Sequence, residues 1–290
     1  MFNGSIVAIV TPFRNEKVDE KAFADLIEWH IAEGMNAIVP CGTTGESATL
    51  DYEEHHRVIE LAIEVVNKRI PVIAGTGANS TNETIMMTRK AQKAGADGAL
   101  LVSPYYNKPT QEGIYRHYRK VAQIIDLPLV LYNVPGRTSS NVLPETVARL
   151  AEIDTIVAIK EATGSMKQVS DVIRLCGDKI VVLSGDDSTT FPLLMLGGKG
   201  VISVVANVMP KKVSEMCAVA GRGMIDDARA IHYELEALSS AMFIETNPIP
   251  VKTAVALMGK IQEEFRLPLC EMAPANRDKL KEVMKSYKLI

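Results

Sequence analysis

The sequence predicts a closed (β/α)8 barrel, a TIM barrel of the α/β class, with a C-terminal helical extension. Three observations carry this expectation. Eight short apolar runs rich in β-branched residues recur along the chain, several almost uninterrupted, as strands covered on the outside by helices are. Stretches of helical periodicity separate them. The rival, an open dinucleotide-binding sheet, lacks its glycine signature. The first run leads into Thr11-Pro12-Phe13-Arg14, and the nearest mimic, Gly75-Thr76-Gly77-Ala78-Asn79-Ser80, has no third glycine.

In chain order the strand-like runs are Ser5–Val10, Ala37–Cys41, Pro71–Thr76, Gly98–Ser103, Pro128–Asn133, Thr155–Lys160, Ile180–Gly185 and Gly200–Val205. Between the first two, Lys21–Ala32 places Phe23, Leu26, Ile27 and Ile31 on one helical face. Glu53–Val66, Asn82–Ala94 and Glu112–Ile125 repeat that periodicity, and Pro144–Leu150 and Met166–Leu175 are shorter versions. Asp51 with Glu54, and Ser80 with Glu83, fit capping boxes, while Gly34, Gly95 and Gly177 stand where helices stop. Lys211–Ala220 closes the barrel. We therefore expect residues 1–223 to form the barrel with its active site. Residues 224–290, with helices at Asp226–Phe243, Pro250–Met258 and Arg277–Tyr287, form an extension and not an independent domain.

Composition bounds the function. The chain has 290 residues, 47% of them hydrophobic and 23% charged, as soluble globular proteins do. Its 32 Lys+Arg against 35 Asp+Glu give a net charge of −3, which argues against a basic nucleic-acid binder. No apolar run reaches the roughly 18–20 residues of a membrane span. Met1–Pro12 lacks the basic lead of a signal peptide and reads as a first strand. Cys41, Cys176, Cys217 and Cys270 are far apart, so reduced thiols in the cytoplasm are expected.

Reactive groups in such barrels sit at the C-terminal ends of strands. Lys160 closes an apolar run, and alternation puts it on one face with Ile156 and Ala158. Withdrawn from water inside the barrel, such an amine can attack a ketone and form a Schiff base. The competing reading is a strand-mouth lysine paired with Glu161 or another carboxylate. Tyr132 and Tyr106, on neighbouring strand ends, are either proton relays or mouth packing. Thr43-Thr44 between glycines offers two hydroxyls and free backbone N–H groups to a carboxylate, or merely caps a turn. Arg137 is a planar fork suited to a second carboxylate, or an exposed loop arginine. Asp186-Asp187 is expected to cap a helix, through Asp187 or Ser188. The five histidines fall in helical stretches, and no metal or organic cofactor is expected.

Gly42-Thr43-Thr44-Gly45-Glu46-Ser47, Tyr132-Asn133-Val134-Pro135-Gly136-Arg137-Thr138 and Ile159-Lys160-Glu161-Ala162 occur in this order. The chain resembles the dihydrodipicolinate synthase family of pyruvate-dependent Schiff-base lyases along its whole length. That resemblance implies that Lys160 condenses with pyruvate, Thr43 and Thr44 hold its carboxylate, and Tyr132 relays protons. It also implies that Thr44 and a neighbouring subunit's Tyr106 assist Tyr132, that Arg137 meets the carboxylate of aspartate semialdehyde, and that Gly185 and Ile202 lie near. The product would be 4-hydroxy-tetrahydrodipicolinate, a lysine and diaminopimelate precursor. A homotetramer built as a dimer of dimers is further implied, as is a lysine effector site at Ser47, Ala48, His55, Asn79, Glu83 and Tyr105, where Tyr52 departs from the usual histidine. N-acetylneuraminate lyase or keto-deoxy sugar acid aldolase activity is the nearest alternative, and a non-catalytic ligand-binding barrel a more distant one.

Overall fold

The computed structural model describes residues 2–290. In chain order its elements are β1 (Gly4–Ala8), β2 (Phe13–Arg14), β3 (Lys17–Val18), α1 (Glu20–Ala32), β4 (Ala37–Val39), α2 (Tyr52–Val66), β5 (Ile73–Gly75), α3 (Thr81–Ala94), β6 (Gly98–Val102) and α4 (Gln111–Ala122). They continue with β7 (Leu129–Asn133), α5 (Pro135–Thr138), α6 (Pro144–Leu150), β8 (Ile156–Glu161), α7 (Met166–Cys176), β9 (Val181–Ser184), α8 (Thr190–Met195), β10 (Gly200–Ser203) and α9 (Pro210–Gly221). The extension holds α10 (Ile225–Ala241), α11 (Ile249–Leu257) and α12 (Pro274–Ser286).

Eight parallel strands run in the order β4-β1-β10-β9-β8-β7-β6-β5. The two ends meet through a parallel bridge between Ile38 and Val72, where Ile38 N–H donates to Pro71 C=O at 3.1 Å and Gly75 N–H to Pro40 C=O at 3.0 Å. The sheet is thus a nearly closed (β/α)8 barrel, as the eight runs predict. The hairpin β2–β3, the four-residue α5 and the six-residue α8 are additional. None is long enough to impose a period on the sequence.

Alternation divides each strand between two layers. Ile6, Ala8, Val39, Ile73, Leu100, Val130, Ala158, Leu183 and Ile202 fill the barrel interior. Their neighbours Val7, Ile38 and Ala74, and on the opposite side Leu101, Leu131 and Ile159, face the helices. One expectation fails here. Ile156 does not share a face with Ala158 and Lys160, because the pairing with β7 shifts register between Leu129 and Val130. The shift sends Ile156 outward into the layer of Ile159.

The glycine mimic has a packing explanation. A Cβ on Gly75 would lie 2.2 Å from Cys41 C=O oxygen, and one on Gly77 would lie 2.3 Å from Val102 N. These glycines let neighbouring backbones approach. Asp51 and Glu54 form the full capping box, but Ser80 makes only half of one. Its hydroxyl accepts from Glu83 N–H at 3.4 Å, while the Glu83 carboxylate accepts from Tyr52 Oη at 2.5 Å. The capping role expected of Asp187 or Ser188 belongs to Asp186, which accepts from Ser188 N–H at 2.9 Å. Asp187 is buried and reaches across to the end of β10, accepting from Ser203 Oγ and from the Val204 and Val205 N–H groups.

The extension is packed into the same apolar cluster as α1, α2 and α9, through Leu235, Leu238, Val251, Val255, Leu280 and Met284. No helix among the described residues is long and apolar enough to cross a membrane.

Candidate active site

A cavity of about 670 Å³ opens at the C-terminal ends of β4, β5, β6 and β7. Lys160, on β8, is not among the residues that line it and stands behind Tyr132. The side chain is buried, with its Nζ 4.3 Å from the centroid of the Tyr132 ring, the residue paired with it across β7 and β8. Tyr132 itself lines the cavity. Lys160 makes no ion pair among the described residues. The alternative partner, Glu161, points to the other face, where it accepts from Asn133 Nδ2 at 3.1 Å and from Thr163 N–H at 2.8 Å. The reading of Lys160 as a lysine neutralised by its neighbour therefore falls.

Gly185, at the end of β9, lies directly against the lysine. A Cβ there would be 3.0 Å from Lys160 Cε, 3.1 Å from Cγ and 2.7 Å from Ala162 Cβ. The missing side chain makes room for the lysine stem. Ile202 is wholly buried in the barrel interior beneath, in the same cluster as Tyr132 and Leu183.

The turn after β4 is held tightly. Gly42 C=O accepts from Gly45 N–H at 3.1 Å and Ser47 N–H at 3.4 Å, and Thr43 C=O accepts from Glu46 N–H at 3.1 Å. Thr11 Oγ1 donates to Gly45 C=O at 2.7 Å. These bonds consume part of the N–H supply expected of the turn; the Thr43 and Thr44 N–H groups take no acceptor among the described residues. Thr43 lines the cavity, and buried Thr44 accepts at Oγ1 from Asn247 Nδ2 at 3.1 Å.

Arg137 is exposed, sits on α5 and lines the cavity, with its Nη2 donating to Asn247 C=O at 2.9 Å. The exposure is what the alternative reading expects, but the residue sits on a short helix and not on a loop, and its guanidinium is hydrogen-bonded. Tyr106 is 90% exposed, adopts φ +70° and does not line this cavity, whereas the adjacent Tyr105 does. Ser47, Ala48, His55 and Glu83 also line it. Asn79 stands behind, donating from Nδ2 to Tyr105 C=O at 3.2 Å. Burial pushes His55 down to about 4.

Sequence reasoning missed the supports. Glu46 is buried, takes the left-handed φ of +53°, and forms an ion pair with Lys252 of α11 in which both side chains are fully buried. Lys252 Nζ also lies 3.9 Å from the Phe13 ring centroid, and burial outweighs Glu46 in pushing it down to about 8. The buried polar pair had no signal in sequence, because its members are 206 residues apart.

With this geometry in place, comparison with known proteins decides the family. A family model, the dihydrodipicolinate synthetase family, matches residues 1–287. The chain belongs to that family. A relative from Thermodesulfovibrio yellowstonii named 4-hydroxy-tetrahydrodipicolinate synthase is 69% identical over 290 residues, covering both chains completely. Among family structures, a chloride-inhibited dihydrodipicolinate synthase from Acinetobacter baumannii complexed with pyruvate is 50% identical, with a TM-score of 0.98 and complete coverage of both chains. A dihydrodipicolinate synthase from Cyanidioschyzon merolae with lysine bound is 40% identical, with a TM-score of 0.97, covering 100% of this chain and 99% of that one.

Proposed function

We propose that this protein is a lyase that condenses pyruvate with L-aspartate 4-semialdehyde to give 4-hydroxy-tetrahydrodipicolinate, on the path to diaminopimelate and lysine. The observation that carries the reading is the buried, carboxylate-free Lys160 packed against Tyr132, which lines a cavity that also presents Thr43 and Arg137. The 69% identical relative named for this activity supports it.

In this reading the Lys160 amine adds to the ketone of pyruvate, and loss of water gives an iminium. Loss of a methyl proton then forms an enamine, which attacks the aldehyde carbon. The amine of the semialdehyde displaces Lys160 from the iminium and closes the ring. The lysine nitrogen supplies the electron sink, so no step calls on an organic cofactor. Tyr132 carries protons to and from the carbinolamine oxygen. Thr43 and Thr44 receive the pyruvate carboxylate, Gly185 and Ile202 bound the space around the adduct, and the Arg137 fork receives the semialdehyde carboxylate.

Tyr106 is exposed and does not line its own cavity, and we assign it to the cavity of a second copy in a homotetramer arranged as a dimer of dimers. Lysine is assigned as an effector on Ser47, Ala48, His55, Asn79, Glu83 and Tyr105. Tyr52 already occupies Glu83 there, which weakens any ammonium contact. The cytoplasm is the expected compartment. The reading is tested by incubating the protein with pyruvate and a panel of aldehydes and weighing the products. It predicts turnover with aspartate semialdehyde; turnover only with sugar-derived aldehydes contradicts it.

A further inference from the structure

We propose that Asn247 is a positioning residue that fixes the donor direction of Thr44 with its side chain and the stance of Arg137 with its backbone carbonyl. The proposal rests on the reading of Thr44 and Arg137 as carboxylate receivers. Asn247 belongs to the extension, just ahead of α11, and lines the cavity between the two groups. Its Nδ2 donates to Thr44 Oγ1 at 3.1 Å, 203 residues away in sequence. Its carbonyl oxygen accepts from Arg137 Nη2 at 2.9 Å, 110 residues away. One buried residue thus joins the turn after β4 to the helix after β7.

The direction of the first bond matters. A threonine hydroxyl has one hydrogen to give. Because Asn247 donates to Thr44, that hydrogen is not spent on Asn247 and stays available to a bound carboxylate. The same amide carries a second mark of function: its Oδ1 is buried without any hydrogen-bond partner. A lone buried acceptor is costly, and such atoms persist where another demand sets the side chain's orientation. Here the demand is to present Nδ2, not Oδ1, to Thr44.

Replacing the amide by an isosteric carboxylate reverses the bond. Aspartate only accepts, so it draws the Thr44 hydrogen to itself and adds a negative charge beside the pyruvate carboxylate. The test measures borohydride trapping of two ketones on Lys160, pyruvate and neutral acetone. Asn247→Asp is expected to raise the pyruvate concentration for half-maximal trapping roughly tenfold, the scale of a lost charge-assisted hydrogen bond. Acetone trapping stays within about twofold, because no carboxylate is involved. In a Thr44→Val background Asn247→Ala, which carries no charge of its own, adds less than about twofold, as coupled residues require. Asn247→Ala, which removes the donor without adding charge, gives the same ranking of ketones at roughly threefold and serves if the Asp variant does not fold. Equal losses for both ketones, an unchanged pyruvate requirement, or a full shift persisting without the Thr44 hydroxyl each overturn the proposal. Failure of the unsubstituted protein to trap pyruvate on Lys160 would instead overturn the functional reading, and this inference with it.

Discussion

The strand ends of the barrel and the C-terminal extension meet at one cavity, but they contribute to it differently. The strand ends supply every group assigned to chemistry: Thr43, Thr44, Tyr132, Arg137 and Lys160 all lie within a few residues of β4, β7 or β8. The extension supplies no reactive group and three supports. Asn247 holds Thr44 and Arg137, Lys252 neutralises Glu46, and the Arg266 guanidinium grips Glu54 at 2.5 and 2.6 Å while reaching Thr49 C=O at 3.0 Å. All three supports converge on the turn between β4 and α2. Chemistry here is local in sequence, and the rigidity that aims it is not.

That contrast is sharpened first at its reactive end. Lys160→Ala is expected to reduce turnover by on the order of a thousandfold or more, as loss of a covalent nucleophile does, with unfolding unchanged within error. Steady-state kinetics alongside thermal melts check it, and a variant retaining a tenth of the activity would move the chemistry elsewhere.

The next effect falls on stability. Glu46 and Lys252 are both removed from water, and taking away one partner strands a buried charge. Lys252→Met is expected to cost about 3–5 kcal/mol in urea unfolding, and adding Glu46→Gln is expected to recover part of that loss. Simple additivity of the two would show that the pair is not coupled. Because Glu46 holds a left-handed φ, loss of its partner also loosens the turn that carries Thr43 and Thr44.

A smaller, more selective effect belongs to Arg137. Arg137→Ala is expected to raise KM for the semialdehyde by at least about tenfold while pyruvate trapping changes less than about twofold, since only one substrate's carboxylate meets the fork. Measuring both on one preparation separates a binding defect from a general collapse of the cavity.

Acid tests the framework and not the chemistry. Burial pushes His55 and His117 down to about 4 and His30 down to about 3 from an ordinary 6.5. Neither ring nitrogen of His30 has a hydrogen-bond partner. The unfolded chain therefore takes up protons first as pH falls below 6.5, and stability declines until the folded-state values are reached. Between pH 7 and pH 5 each histidine is expected to contribute about 2 kcal/mol of that decline, read from urea midpoints. His30→Phe should flatten the slope, and an unchanged slope would assign the decline to other groups.

How much was legible follows the same division. Period-two alternation and apolar runs exposed the eight barrel strands, because each strand's burial is written into its own residues. Lys160, ending such a run, stood out for the same reason. Ile156 was misplaced because a register shift depends on the neighbouring strand, which the alternation of β8 alone cannot report. Asp187 was misassigned because its partners lie at and just beyond the end of β10 and not in the helix it precedes. Short elements such as α5 and α8 escaped because a helix of a turn or two buries too few residues to show a period. The roles of Asn247, Lys252 and Arg266 were hidden for a plainer reason: each acts through a partner roughly 200 residues away.

The central claim is that Lys160 is the amine that captures pyruvate. It is tested most directly by reducing the protein with borohydride in the presence of pyruvate, digesting it, and locating the added mass by sequencing the modified peptide. A single adduct on Lys160, absent from Lys160→Ala, is the predicted result. An adduct on Lys252, or on any other lysine with Lys160 unmodified, contradicts it.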